Sequence, residues 1–315
     1  MSLFQAIGFA LAGIALVVFF SEQLVKGVVG TSVNFNVSAF LISVIFLGFD
    51  PENLGVGAVG TYESVGGIAM GSVIGAAMVA MALALGISAL FAPLKFKNIS
   101  KRLLLVPLVS VLLFGALVLD RHLSRFDGIV LLAGYAGAVF YLIYLNRKGI
   151  TLKAGGEVAE TLEKENLPNK WKSAGLMLVS LVAIIGGSEL LVSGSKVILE
   201  EFQLSDTVYG MTILAFMVSI EEIARELPAA LKGKSDVSMG NVIGSVLAFF
   251  LFNAGIIALV RPVEVSAEAL QFFLPVSIVT ILFILTLLLF IRKIPRWAGA
   301  LLIIFYIVFI LFGYL

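Results

Sequence analysis

Apolar stretches long enough to cross a bilayer recur along the whole of this 315-residue chain. A membrane-spanning helix needs about 20 consecutive apolar residues. Hydrophobic residues make up 60% of the sequence and charged residues only 13%, against about 25% charged residues in an ordinary soluble domain. A soluble fold of this length could not bury so much apolar surface. The sequence therefore predicts an all-α polytopic membrane protein.

Ten transmembrane helices are predicted, five on each side of a polar stretch. That stretch, 146–173, alternates Lys with Glu and contains Gly155-Gly156, as a linker does. It separates a first five-helix repeat, 1–145, from a second, 174–315. The predicted helices are 3–29, 36–66, 68–93, 102–119, 127–145, 174–200, 207–232, 235–261, 266–291 and 296–315.

The basic residues predict how the chain is oriented. Cytoplasmic loops carry an excess of Lys and Arg. If both termini lie outside the cell membrane, sixteen basic residues fall in inside loops and three in outside loops. The 146–173 linker is then cytoplasmic. Because five helices precede it, the two halves have opposite orientations.

Composition excludes several classes of function. The net charge of +1 gives no basic surface for nucleic acid. Cysteine is absent, and the single histidine, His122, lies in a charged turn. Neither a nucleophile with its base nor an H-E-x-x-H motif occurs. We therefore expect no enzyme and no cofactor. The expected partners are the lipid bilayer and inorganic cations, and the oligomeric state stays open.

An internal repeat supports the division into halves. Residues 22–27 match 189–194 at a shift of 167, and residues 70–75 match 239–244 at a shift of 169. Five-helix units repeated in inverted orientation are the usual plan of secondary transporters, whose sites lie near the bilayer midplane on broken helices. The pattern favours transport by alternating access, although a cation channel remains an alternative.

Two acidic clusters lie within apolar segments. The first surrounds Asp50 and Glu52, and Pro51 between them should break or kink its helix. The second runs from Ser219 to Glu226. A charge at membrane depth costs about 2.5–3.5 kcal/mol on insertion scales, so these groups need a reason to be there.

Helical spacing assigns roles within the second cluster. Ser219, Glu222 and Glu226 share one helix face, whereas Glu221 and Arg225 are i, i+4 neighbours and are interpreted as an ion pair. That pairing leaves Asp50, Glu52 and Glu222 without a basic partner, which favours a cation or proton site. Asn241 and Ser245, one turn apart, could add neutral oxygens, which hard cations accept. The predicted metal ligands are Glu52, Glu222, Asp50, Ser219, Asn241, Ser245 and Glu226.

The stretch from Ser205 to Glu222, SDTVYGMTILAFMVSIEE, followed by GNVIGS at 240–245, resembles the calcium/cation antiporter superfamily, which includes sodium/calcium and proton/calcium exchangers. The resemblance implies ten helices in inverted repeats and a site on helices 2, 3, 7 and 8. It places the family glutamate of the second repeat on Glu222 and a family hydroxyl on Ser219. In the first repeat the family glutamate is best placed on Glu52, after Pro51, whereas the ungapped match would place Glu52 on the family's serine. The chain departs from the family at Glu221, which replaces a proline, and at Ala80 and Phe249, which replace acidic or amide ligands.

The expected function is exchange of a divalent cation for sodium or protons, with calcium as the leading choice of divalent cation. Because calcium takes six to eight oxygens and two family ligands are missing, transport of another cation such as magnesium or manganese remains an alternative. An intramembrane enzyme is disfavoured by the missing motifs.

Overall fold

The structure is a computed structural model that describes residues 1–35, 45–46, 48–96, 100–148, 161–162 and 169–314. These residues are mostly helical. The helices are α1 Leu3–Asn34, α2 Pro51–Tyr62, α3 Gly66–Phe91, α4 Lys101–Leu117, α5 Arg125–Arg147, α6 Lys170–Phe202, α7 Asp206–Ser219, α8 Glu221–Leu231, α9 Ser235–Val260, α10 Ala269–Phe290 and α11 Arg296–Phe312. The two-residue strands are β1 Leu94–Lys95, β2 His122–Leu123, β3 Val263–Glu264 and β4 Lys293–Ile294.

Helix length and apolarity confirm a membrane protein. Within the described residues, six helices are long and apolar enough to span a bilayer, and α7 with α8 would form a seventh span that bends by 53°. The six are α1, α3, α5, α6, α9 and α10. In an apolar 18-residue stretch of α3 and of α9, 83% of the residues are buried inside the protein, whereas in that of α1 only 22% are buried. The centre of the molecule is therefore built from α3 and α9, and α1 lies at the periphery.

The predicted second helix, 36–66, is interrupted at the predicted position. Residues 36–44 and 47 lie outside the described part of the chain, and α2 begins only at Pro51. Asp50 caps it, and Pro51 stands in the first turn, where a missing backbone N–H leaves no bond unmade. Gly48, with φ of 69°, lies so close to α9 that a β-carbon there would be 2.0 Å from the Gly244 carbonyl carbon. The break and this close approach put the start of α2 against α9.

The predicted seventh helix is divided by a bend that needs no proline. The break falls at Ile220, between α7 and α8, while Pro228 lies further along within α8. A π-helical segment, Gly210–Leu214, precedes the bend, and such wide turns are frequent at functional sites. The first turn of α8 carries Glu221 and Glu222, where the positive end of the helix dipole favours carboxylates.

The outer helices α1 and α6 pack against each other in opposite directions. Gly13 of α1 lies against Gly187 of α6, and Gly27, further along α1, lies against Met177, further back along α6. Of the predicted linker 146–173, Arg147 closes α5, Lys170 opens α6, and residues 149–160 and 163–168 lie outside the described residues.

Two antiparallel strand pairs join loops from different parts of the chain. β1 pairs with β4, and β2 pairs with β3. Each pair links a loop that precedes α6 to one that follows α9, so the strands hold loops from the earlier and later parts of the chain together.

Candidate functional site

The two acidic segments meet where α2, α7, α8 and α9 come together. All seven predicted ligands are buried, with no side chain more than 4% exposed. Glu52 on α2 is fully buried, and Glu222 on α8 is 2% exposed. The charge of Asp50 lies within electrostatic reach of Glu52 and Glu222. Residues from the two predicted repeats therefore form one polar cluster inside an apolar protein.

Asn53 connects the first acidic segment to α7. Oδ1 of Asp50 accepts a hydrogen bond from the Asn53 backbone N–H at 2.8 Å, and Oδ2 accepts one from the Asn53 side-chain amide at 2.9 Å. The same amide nitrogen donates to Oγ of Ser219 at 2.9 Å. Asn53 was not among the predicted site residues, although it lies in the predicted segment.

On the other side of the cluster, Asn241 and Ser245 bind Glu222. The amide nitrogen of Asn241 donates to Glu222 Oε2 at 2.8 Å and to Glu226 Oε1 at 3.3 Å. The Ser245 hydroxyl donates to Glu222 Oε1 at 3.3 Å. Asn241 and Ser245 therefore reach the acidic segment as predicted. The prediction that Ser219, Glu222 and Glu226 share one face of a straight helix is wrong, because the bend at Ile220 separates Ser219 from Glu222 and Glu226.

Arg225 overturns the expectation that Glu52 and Glu222 have no basic partner. It pairs with Glu221 on α8 as predicted. It also bonds to Glu52 Oε1 at 3.3 Å and lies 3.8 Å from Glu222 Oε1. Spacing along α8 could not reveal the bond to Glu52, since α2 is distant in sequence.

Several buried oxygens in the cluster lack a hydrogen-bond partner within the described part of the chain. Oε2 of Glu52 and Oε2 of Glu226 are both in this state. Hydroxyls of Ser21 and Ser238 lie near Glu52 and Glu226 respectively, but not in hydrogen-bonding geometry. A buried acceptor left unpaired costs about 1–3 kcal/mol. These carboxylate oxygens are therefore suited to accept a cation.

The amide side chain of Asn253 was not among the predicted site residues. It is fully buried, and neither its oxygen nor its nitrogen has a partner among the described residues. Its helix packs along α2: one turn after it Ile257 lies against Gly57, and two turns after it the Arg261 carbonyl accepts a hydrogen bond from the Thr61 hydroxyl. Extended one turn back, this register would place Asn253 level with Asn53 at the start of α2.

The carboxylates do not converge on one point in the arrangement shown. Among the described residues, no three His, Cys, Asp or Glu side chains stand close enough together to hold a metal ion. Arg225 and Asn241 donate to the carboxylates instead. Ala80 and Phe249 are fully buried apolar residues and bring no side-chain oxygen. The polar atoms that remain are oxygens of the kind that hard cations prefer.

Other acidic residues stay outside this cluster. Glu22 lies 3.8 Å from Lys26, and the side chains of Glu22 and Lys26 are 53% and 32% exposed. Glu63, at the end of α2, accepts a hydrogen bond from Lys196 at 2.7 Å and is 40% exposed. Glu189 is exposed on α6. None of the three was predicted as a ligand, and the structure brings none of them to the cluster.

Comparison with known proteins identifies relatives over the full chain. The family model for the sodium/calcium exchanger protein matches residues 5–144 and 172–315. An uncharacterized membrane protein of Methanocaldococcus jannaschii is 32% identical over 97% of each chain. The sodium/calcium exchanger MaX1 of Methanosarcina acetivorans is 25% identical over 95% of this chain and 96% of its own. Among solved structures, the sodium-calcium exchanger NCX_Mj matches 98% of each chain with a TM-score of 0.61 and 27% identity.

Proposed function

Because this chain belongs to the sodium/calcium exchanger family, we propose that it is a secondary antiporter that exchanges calcium for sodium or protons by alternating access. The observation that carries the proposal is the buried polar cluster, which joins Glu52 of the first half to Glu222 of the second. Charged groups in a membrane interior mark ion pathways. Relatives named as sodium/calcium exchangers and as a Ca²⁺/H⁺ antiporter support the same ions.

The proposal includes ten spans in two inverted halves, 1–145 and 174–315, joined by a cytoplasmic linker at 146–173, with both termini outside. Two features of the structure support it. The helices α1 and α6 contain the sequence-matched segments, and they run in opposite directions. The strands β1 and β3 begin at Leu94 and Val263, which are 169 residues apart, the same shift as the second sequence match.

Ion exchange follows if calcium and the sodium ions or protons bind the same ligands. A calcium ion would take carboxylate oxygens of Glu52 and Glu222, with Asp50 and Glu226 adding charge. Oxygens of Ser219, Ser245 and Asn241 would complete part of the shell, since calcium accepts carboxylate, hydroxyl and carbonyl oxygens alike. Sodium ions or protons would use the same carboxylates. Calcium therefore cannot bind at the same time as the sodium ions or protons. Calcium crosses the membrane in one half of the transport cycle, and sodium or protons cross in the opposite direction in the other half.

Uptake by purified protein in liposomes tests this function. Calcium added outside should enter sodium-loaded vesicles faster than it enters sodium-free vesicles. A second arm of the experiment replaces the sodium gradient with an outward proton gradient. Dissipating either gradient with an ionophore is the control. Calcium entry that is unaffected by both gradients would contradict antiport and would instead indicate a channel. Transport of magnesium or manganese in place of calcium would overturn the choice of ion.

A further inference from the structure

Arg225 contacts carboxylates from both halves of the cluster. Its guanidinium bonds to Glu221 one turn back on α8 and to Glu52 on α2, and it lies 3.8 Å from Glu222. The arginine side chain is only 14% exposed, and Glu52 is fully buried. A positive charge therefore lies between the two carboxylates to which the proposed function assigns the transported ion.

Pairing within α8 does not account for this position. Glu221 and Arg225 are i, i+4 neighbours, and such a pair neutralises the arginine on its own helix. Nevertheless the guanidinium extends to Glu52, 173 residues earlier in the chain. This contact puts the guanidinium where a mobile cation would also be attracted.

The charge of Arg225 is permanent. A guanidinium does not lose its proton in proteins, whereas sodium, calcium and protons can all leave a carboxylate. The cluster contains the acidic residues Asp50, Glu52, Glu221, Glu222 and Glu226, and Arg225 offsets one of their charges. Removing the arginine charge would leave the cluster one unit more negative at membrane depth, where an uncompensated charge is costly.

We propose that Arg225 is a tethered cation that holds one monovalent-cation position of this cluster. The inference rests on the proposed antiport function and specifies its charge balance. With Arg225 present, the mobile ions bound to the carboxylates carry, in total, one positive charge fewer than they would carry if residue 225 were neutral. A neutral residue at 225 therefore opens a position that a mobile monovalent cation fills.

Sodium-dependent thermal stabilisation of purified protein tests the proposal. The slope of stabilisation against the logarithm of sodium concentration reports how many sodium ions the folded state binds. Arg225→Gln should bind one more sodium ion than the unmodified protein and show a steeper slope. Glu221→Gln combined with Arg225→Gln restores the net charge, so its slope should return to that of the unmodified protein. The control, Lys196→Gln, removes a positive charge paired with Glu63 outside the cluster and should leave the slope unchanged.

If Arg225→Gln shows the same sodium slope as the unmodified protein, the proposal that Arg225 is a tethered cation is wrong. No stabilisation of the unmodified protein by either sodium or calcium would instead contradict the proposed function, so the two failures can be told apart. Should Arg225→Gln not fold at low sodium, it is purified in high sodium, which fills the opened position, and the slope is measured downward from there. Guanidinium at millimolar concentration should weaken the sodium response of Arg225→Gln, because it can take the opened position, and should leave that of the unmodified protein unchanged. Equal effects of guanidinium on both proteins would also overturn the proposal.

Discussion

Glu221 and Glu222 are adjacent in sequence but face different partners. Glu222 accepts hydrogen bonds from Asn241 and Ser245. Glu221 pairs with Arg225, which also has Glu52 as a partner. From these contacts, Glu222 accepts hydrogen bonds from neutral groups that a cation can share and has the Arg225 charge 3.8 Å away, whereas Glu221 is bonded directly to that fixed charge.

Replacing Glu222 by Gln should abolish stabilisation by calcium in a protein that still folds, because the change removes a ligand charge and keeps the shape. Replacing Glu221 by Gln should preserve the calcium-induced rise in melting temperature. It should lower the free energy of unfolding by about 1.5–3 kcal/mol, the usual contribution of a hydrogen bond to a charged group. Thermal melts of both variants with and without calcium measure these effects.

Two outcomes would contradict these assignments. If Glu222→Gln keeps the calcium shift and Glu221→Gln loses it, the roles of ligand and partner are reversed. A loss of about 3–5 kcal/mol in Glu221→Gln would match a stranded buried charge, and would show that Glu52 does not support Arg225.

Close helix contacts position the cluster at the scale of elements. A β-carbon on Gly71 of α3 would lie 2.2 Å from the backbone of Gly210 on α7, and one on Gly75 would lie 2.6 Å from Ala215. The Gly71 and Gly75 pair therefore serves helix packing. Because α7 leads directly into the bend at Ile220, this packing sets where α8 begins.

Gly71→Ala should destabilise the protein by about 1–3 kcal/mol, the usual cost of an extra methyl group in a packed core. The matched control is Gly137→Ala on α5, where a β-carbon would meet nothing within 4 Å. That variant should be neutral or more stable by up to about 1 kcal/mol, since Ala is a better helix former than Gly. Melting temperatures in detergent measure both. Equal effects at the two positions would show that α3 and α7 do not pack this closely.

Some of these helix breaks and contacts could be predicted from the sequence, and others could not. The break at Pro51 was predictable because proline removes a local backbone donor. The bend at Ile220 was not, because no proline or glycine marks it and it depends on packing between helices. Likewise, the pairing of Arg225 with Glu221 follows from spacing along one helix. Its bond to Glu52 and the link from Asn53 to Ser219 arise only when distant segments meet.

At the scale of the whole molecule, the two proposed halves share both the cluster and the packing. The peripheral helices α1 and α6 face each other, and the buried helices α3 and α9 occupy the centre. Composition alone predicted a membrane protein, because no soluble fold buries this much apolar surface. The number of spans and their orientation still rest on the loop charges and the repeat.

Cysteine labelling tests that topology directly, since the chain contains no cysteine. Single cysteines at Ser2 and Gly155 should react with a membrane-impermeant reagent from opposite sides, because the N-terminus is proposed to lie outside and the linker inside. Intact and permeabilised cells supply the comparison. Reaction of both positions from the same side would contradict an odd number of spans in the first half.

The most direct test of ion exchange at this cluster is sodium-driven calcium uptake into liposomes by the unmodified protein and by Glu52→Gln, Glu222→Gln and Glu189→Gln, each reconstituted in equal amounts. Glu189 is an exposed carboxylate on α6 and serves as the control. Uptake should be lost in Glu52→Gln and Glu222→Gln and retained in Glu189→Gln. Sodium-driven calcium uptake at the unmodified rate in both cluster variants would show that ions cross the membrane elsewhere.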